Sequence, residues 1–186
     1  MPFRVFVDAN VLVRGRWRDI VLTLAEAGVC DVLWSPLVLD EVERHLPDAM
    51  TAQDRVHLFA QMNSAFAEAS VSWPGAVDLN VRLQINEKDR HVIAASLWGK
   101  ADILLTDDQA LHDEVIVSKL LDAQRMPVFL AYAIDSDHAI AMTALIEMAR
   151  HRWLRSPIAT DEEVLDRLRA YFERHGWPTD VLILGS

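Results

Sequence analysis

Asp8 closes the apolar run Phe3-Arg-Val-Phe-Val, which reads as a buried strand that ends on an acid. The run Ala101-Asp-Ile-Leu-Leu-Thr106 repeats that grammar and ends on Asp107 and Asp108. Ligands of open α/β sheets sit beyond the carboxyl ends of the strands, so both runs aim carboxylates at one place. Between them, Glu41 shares a helix side with Leu37, Val38 and Val42, whereas Asp40 and Glu43 point elsewhere. Asp89 opens a further helix, where the dipole favours a negative charge. An isolated charge on an aliphatic face is costly unless it is paired or holds a metal.

Acids from separate segments cannot all stay ionised side by side without counter-charge, and a divalent cation supplies it. Oxygen-only ligation selects a hard ion, Mg²⁺ or Mn²⁺. The lone Cys30 and the lack of a His pair at ligand spacing speak against zinc. With phosphate as a further ligand, such a centre activates water for in-line attack and stabilises the leaving oxygen. The competing assignments are plainer: Asp8 as a helix-capping or turn acid, Glu41 paired with Arg44, Asp89 as a first-turn acid, and one of Asp107 and Asp108 as a turn residue capping the next helix.

The 186 residues, 52% hydrophobic, suffice for one real core, with or without an appendage. No apolar run approaches the roughly 20 residues of a membrane span, and Met-Pro-Phe-Arg followed at once by a strand lacks the form of a secretion signal. The expected location is the cytoplasm. A net charge of −10 excludes coating nucleic acid by bulk positive charge. It does not exclude an enzyme that cuts nucleic acid, because bound cations and a few local arginines reverse the sign where it matters.

The elements that must position the acids follow from periodicity. Residues 19–28 form a helical stripe through Ile20, Val21, Leu24 and Ala27, stopped by Gly28. Asp31–Trp34 is a short strand, and Ser35-Pro36 caps and opens the Glu41 helix. A helix follows from Thr51-Ala-Gln-Asp54, then a connector with a turn at Trp73-Pro74-Gly75. The helix after Asp89 closes at Gly99 and leads directly into the second acidic strand, half of a βαβ unit and hence of a parallel sheet. Beyond Asp108 the pattern predicts a helix over 111–121 and a last short strand over Met126–Leu130. Helices over 136–153 and from the capping box at Thr160-Asp-Glu-Glu163 to Gly176 complete a tail that shows no chemistry.

VFVDAN, SPLVLDEVERHL and EKDRHVIAASLWGKADILLTDD, in this order and spacing, resemble the successive motifs of the PIN domain over about residues 1–130. The resemblance implies an α/β PIN-like fold, a central, mostly parallel sheet flanked by helices over 1–130, with a C-terminal α-helical extension over 131–186 like that of one subgroup of VapC-type proteins. It also implies a Mg²⁺- or Mn²⁺-dependent endoribonuclease that hydrolyses RNA phosphodiester bonds, the toxin of a type II toxin–antitoxin pair. The family's acids carry over to Asp8, Glu41, Asp89 and Asp108 as metal-binding catalytic residues, with Asp107 as the alternate. Asn10 and Thr106 fall at positions that orient the carboxylates by hydrogen bonds. Where the family pattern continues with Asp and Phe, this chain has Ala110 and Leu111. A homodimer and a cognate antitoxin lying across the acidic groove are implied by the resemblance alone.

Arg14, Arg16, Trp17 and Arg18 follow the first acid closely, which suits phosphate contacts and an indole stacked on an exposed base. A solvated basic loop explains them equally. Lys88 and Arg90 are a further candidate for phosphate contact, and His45 and His91 are assigned no role. An aspartyl-phosphate transferase would place a second acid where Asn10 stands, and a receiver-like module would carry a late strand-end lysine. Two other readings keep the PIN fold: housekeeping RNA processing, and RNA binding or scaffolding without cutting.

Overall fold

A computed structural model describes residues 2–72 and 89–183. Lys88 and the Trp73-Pro74-Gly75 turn lie outside them. The described residues form a four-stranded parallel sheet, order β2-β1-β3-β4, from β1 (Phe3–Val7), β2 (Cys30–Leu33), β3 (Ile103–Leu105) and β4 (Asp122–Gln124). Val5, Phe6 and Val7 pair with Ile103, Leu104 and Leu105, and those in turn with Asp122, Ala123 and Gln124. Val5, Phe6, Val7 and all of β3 are buried, as apolar runs without alternation require when helices cover both faces. The chain is thus α/β with a parallel sheet flanked by helices.

Contacts divide the chain into two compact units, residues 1–18 with 31–125 and residues 19–30 with 126–186. In the first, a short α1 (Ala9–Leu12) packs on α3 (Pro36–His45), which starts with Ser35 Oγ accepting from the Val38 amide. Thr51 and Asp54 form a full capping box at the start of α4 (Ala52–Ala65). The chain then returns to Trp34, whose amide donates to the Ala69 carbonyl and whose indole meets Phe66 edge-on at 5.9 Å. Helix α5 (Arg90–Trp98) leads into β3, and α6 (Gln109–Ser118) into β4.

In the second unit, α7 (Met126–Ser136) packs on α8 (His138–Met148), which continues through a π-helical turn (Ala149–Leu154) onto α9 (Asp161–Arg174). Arg150, nearly buried, ties the turn to Glu147 and Asp161 and donates Nε to the Ala159 carbonyl. Among the described residues no single helix is long and apolar enough to cross a membrane.

Two expectations are corrected. Met126–Leu130 is not a strand but the first turns of α7. Pro127 suits a helix start, and the buried positions Met126, Phe129, Leu130, Ala133 and Ile134 recur at helical spacing. The last strand is β4, only three residues long with Ala123 alone buried, which leaves almost no apolar signal. The basic segment after Arg14 is likewise no loop: α2 runs Gly15–Glu26, and Trp17 joins Ile20, Val21 and Leu24 on its buried stripe.

Gly99 stands at the C-cap of α5, where the helix was expected to stop, but not for its conformational freedom. Its φ is −70°, and the left-handed residue is Lys100. A Cβ at position 99 would stand 2.9 Å from Val71 Cγ2 and 3.1 Å from the Ala95 carbonyl oxygen. Close approach, not φ, demands glycine here. Gly99→Ala is therefore expected to lower unfolding free energy by about 1–3 kcal/mol through overpacking, read by urea denaturation.

Candidate functional site

Strand β1 ends by donating the Asp8 amide to the Leu105 carbonyl at 3.0 Å, which sets Asp8 beside Thr106 at the shared edge of β1 and β3. Asp8 is 6% exposed. Its Oδ1 accepts from the Ala9 amide at 2.7 Å as the cap of α1, and its Oδ2 accepts from Thr106 Oγ1 and Asn10 Nδ2, both at 2.7 Å. Asn10 Nδ2 also donates to Thr106 Oγ1 at 3.1 Å, and Asn10 Oδ1 accepts from the Asp107 amide at 3.0 Å. Thr106 Oγ1 further accepts from the Asp108 amide at 3.1 Å. Asn10 and Thr106 thus hold the carboxylate as expected, and every group in this lattice that donates to it is neutral.

Burial without a cationic partner has a cost. Desolvation pushes the Asp8 pKa up from 3.8 to about 6, the bonds from Thr106 and Ala9 oppose the shift, and the charges of Glu41 and Asp89 add to it. That last contribution shows that α3 and the start of α5 bring their acids into the field of Asp8. These two contributions are the smallest of the five, and among the described residues no three of the acids come together as a metal-holding group.

Among the described residues the plain alternative for Glu41, a pair with Arg44, is not seen, whereas Asp89 does stand at the N-terminus of α5, where the plain reading as a dipole-favoured acid put it. Arg44 donates Nε to the Asp40 carbonyl and forms no ion pair with Glu41, and Asp89 stands at the cap of α5 without a capping bond from its side chain. His91, passed over in the sequence, lies in the same neighbourhood. Burial holds its imidazole below the usual value against the pull of Glu41 and Asp89, with Arg44 adding to the lowering, and its Nδ1 is buried with no hydrogen bond. Its spacing two residues after Asp89 was the available signal.

The other two acids part company. Asp108 Oδ1 accepts from the Leu111 amide at 3.0 Å and caps α6. Asp107 is gripped from two sides, by Arg14 at 2.8 Å and Arg125 at 3.0 Å. One of the pair was expected to be a helix cap, and Asp108 takes that role. The expectation of an exposed stacking indole is corrected: Trp17 is 6% exposed, and the Arg14 guanidinium lies 4.0 Å from its ring centroid. Arg18 is turned inward to the Leu12 carbonyl at 2.6 Å.

The donor set would suit a hard divalent cation by its chemistry, since oxygen ligands predominate and, among the described residues, Asp8 has no counter-charge at hydrogen-bond distance. Among the described residues no three His, Cys, Asp or Glu side chains form a ready metal cage. In comparisons with known proteins, the chain matches no family model, no curated protein and no solved structure.

The raised pKa sets a pH dependence. The native state holds the Asp8 proton more tightly than the unfolded chain, so this group's contribution to stability is fully present below about pH 4 and is lost as pH rises through about 6. In chelator, Asp8→Asn is expected to unfold at higher temperature than the parent at pH 7.5 and at about the same temperature at pH 4. At the higher pH the gain is on the order of 2 kcal/mol, after allowing for the hydrogen bond that an amide nitrogen cannot accept. Thermal unfolding at the two pH values measures it.

Proposed function

We propose that this protein is a divalent-metal-dependent endoribonuclease of PIN type that hydrolyses RNA phosphodiester bonds and acts as the toxin of a type II toxin–antitoxin pair. The observation that carries the reading is the buried Asp8 carboxylate at the end of β1, held by neutral donors while Glu41 and Asp89 add their charge. The parallel sheet and the order of the acidic segments agree with the PIN resemblance.

In this reading Asp8, Glu41 and Asp89 hold Mg²⁺ or Mn²⁺, and Asp108 contributes from the start of α6. The ion supplies a polarised water and charge neutralisation at the phosphate. Thr106 and Asn10 would orient the Asp8 carboxylate toward such an ion by donating hydrogen bonds to its Oδ2. Burial of Asp8 keeps its carboxylate poorly hydrated, which strengthens its hold on a cation once the proton leaves. Homodimer formation and silencing by an antitoxin segment belong to the same proposal.

A second reading, a PIN fold that binds RNA without cutting it, draws on two observations: the lack of a ready three-ligand group among the described residues, and the use of Asp108 as a helix cap. Activity separates the two. The nuclease reading expects a mixed RNA panel to be cut in Mg²⁺ or Mn²⁺ and spared in chelator. Asp8→Asn and Asp89→Asn should abolish cutting with the circular dichroism spectrum unchanged, and Thr106→Val should slow it roughly 10–100-fold. RNA bound but uncut by the parent across that panel with metal present would favour the second reading.

A further inference from the structure

Asp107 is flanked by two arginines that come from different places in the chain. Arg14 Nη1 meets Oδ2 at 2.8 Å from the turn after α1, and Arg125 Nη2 meets Oδ1 at 3.0 Å from the end of β4. The side chain of Asp107 is only 16% exposed, whereas the arginines are 48% and 41% exposed. Each guanidinium is also fixed from a second direction, Arg14 over the Trp17 ring and Arg125 through Nη1 to Gln109 Oε1 at 2.8 Å. Asp113 bonds Gln109 Nε2 and also feels the charge of Arg125. One carboxylate shared by two guanidinium groups leaves several of their N–H donors unspent, although among the described residues Arg125 Nε is buried without a partner.

We infer that Arg14 and Arg125, splayed on Asp107, are a phosphate-binding fork that positions the RNA backbone beside Asp8. The inference rests on the nuclease reading and names how the same site holds its substrate. The fork is tied to the acids by the chain itself. The Asp107 amide donates to Asn10 Oδ1, and Asn10 Nδ2 donates to Asp8 Oδ2. Whatever phosphate the arginines hold is thereby kept in register with the buried carboxylate.

Arginine suits this place for a physical reason. Its planar fork accepts one anion on one edge while offering another edge to a second, which a lysine ammonium cannot do with fixed direction. In a chain of net charge −10, a pair of pre-oriented guanidinium groups at the carboxyl edge of the sheet also offsets the repulsion a polyanion meets on approach. The buried Trp17 acts here through Arg14, as its platform, instead of stacking on a base.

The test measures binding of a fluorescent single-stranded RNA of roughly 12 mixed nucleotides to the full chain in chelator, across a salt series. Arg14→Gln and Arg125→Gln should each weaken binding about five-fold or more and each lower the slope of log K against log salt by about one. Arg125→Lys should restore the slope, since charge sets it, while recovering only part of the affinity. Thermal unfolding of each variant checks folding, and a folding defect alone would not change the slope. If the parent binds and cuts RNA and both glutamine variants keep its slope, the fork is wrong and the nuclease reading stands. If the parent neither binds nor cuts RNA, both are wrong.

Discussion

The structure turns on one carboxylate placed where water does not reach it. Asp8 sits at the end of a buried parallel strand, and among the described residues its partners are a hydroxyl, a side-chain amide and a backbone amide. Neutral donors lower a carboxyl pKa less than burial raises it here, so the balance is left at about 6. The strand order, the pairing of β1 with β3 and the short α1 all serve to hold that group in register with Thr106 and Asn10. The charges of Glu41 and Asp89 add to that upward push on Asp8.

The neighbouring acids show how one short segment divides its labour. Thr106, Asp107 and Asp108 follow one another, yet the hydroxyl serves Asp8, the first carboxylate gathers two arginines and the second starts a helix. Strand-end alternation accounts for this, since successive side chains leave the sheet in different directions. The edge thus carries a buried anionic centre and, beside it, cations whose orientation is fixed by an acid that takes no part in that centre.

Much of this was legible in the residues. The strand-end acids, the capped Glu41 helix and the turn from α5 into β3 all write themselves in apolar period and cap chemistry. The Met126–Leu130 segment misled because five apolar residues carry no period, and the helical spacing emerges only when the run is followed to Ile134. The segment after Arg14 misled because three arginines hide a stripe begun by Trp17. Arg125 was invisible as a site neighbour, since its place depends on strand order, whereas His91 stood close in sequence but carried no sign of its burial.

The central claim is that the acids of three separate segments share a hard cation. The most direct measurement is a crystal of the protein soaked in Mn²⁺, with the ion located by its anomalous scattering. The account expects a peak within coordination distance of an Asp8 oxygen and of Glu41 or Asp89, with waters completing the shell. Full occupancy elsewhere, or no peak at Asp8 at Mn²⁺ concentrations that saturate any binding seen in solution, would contradict it.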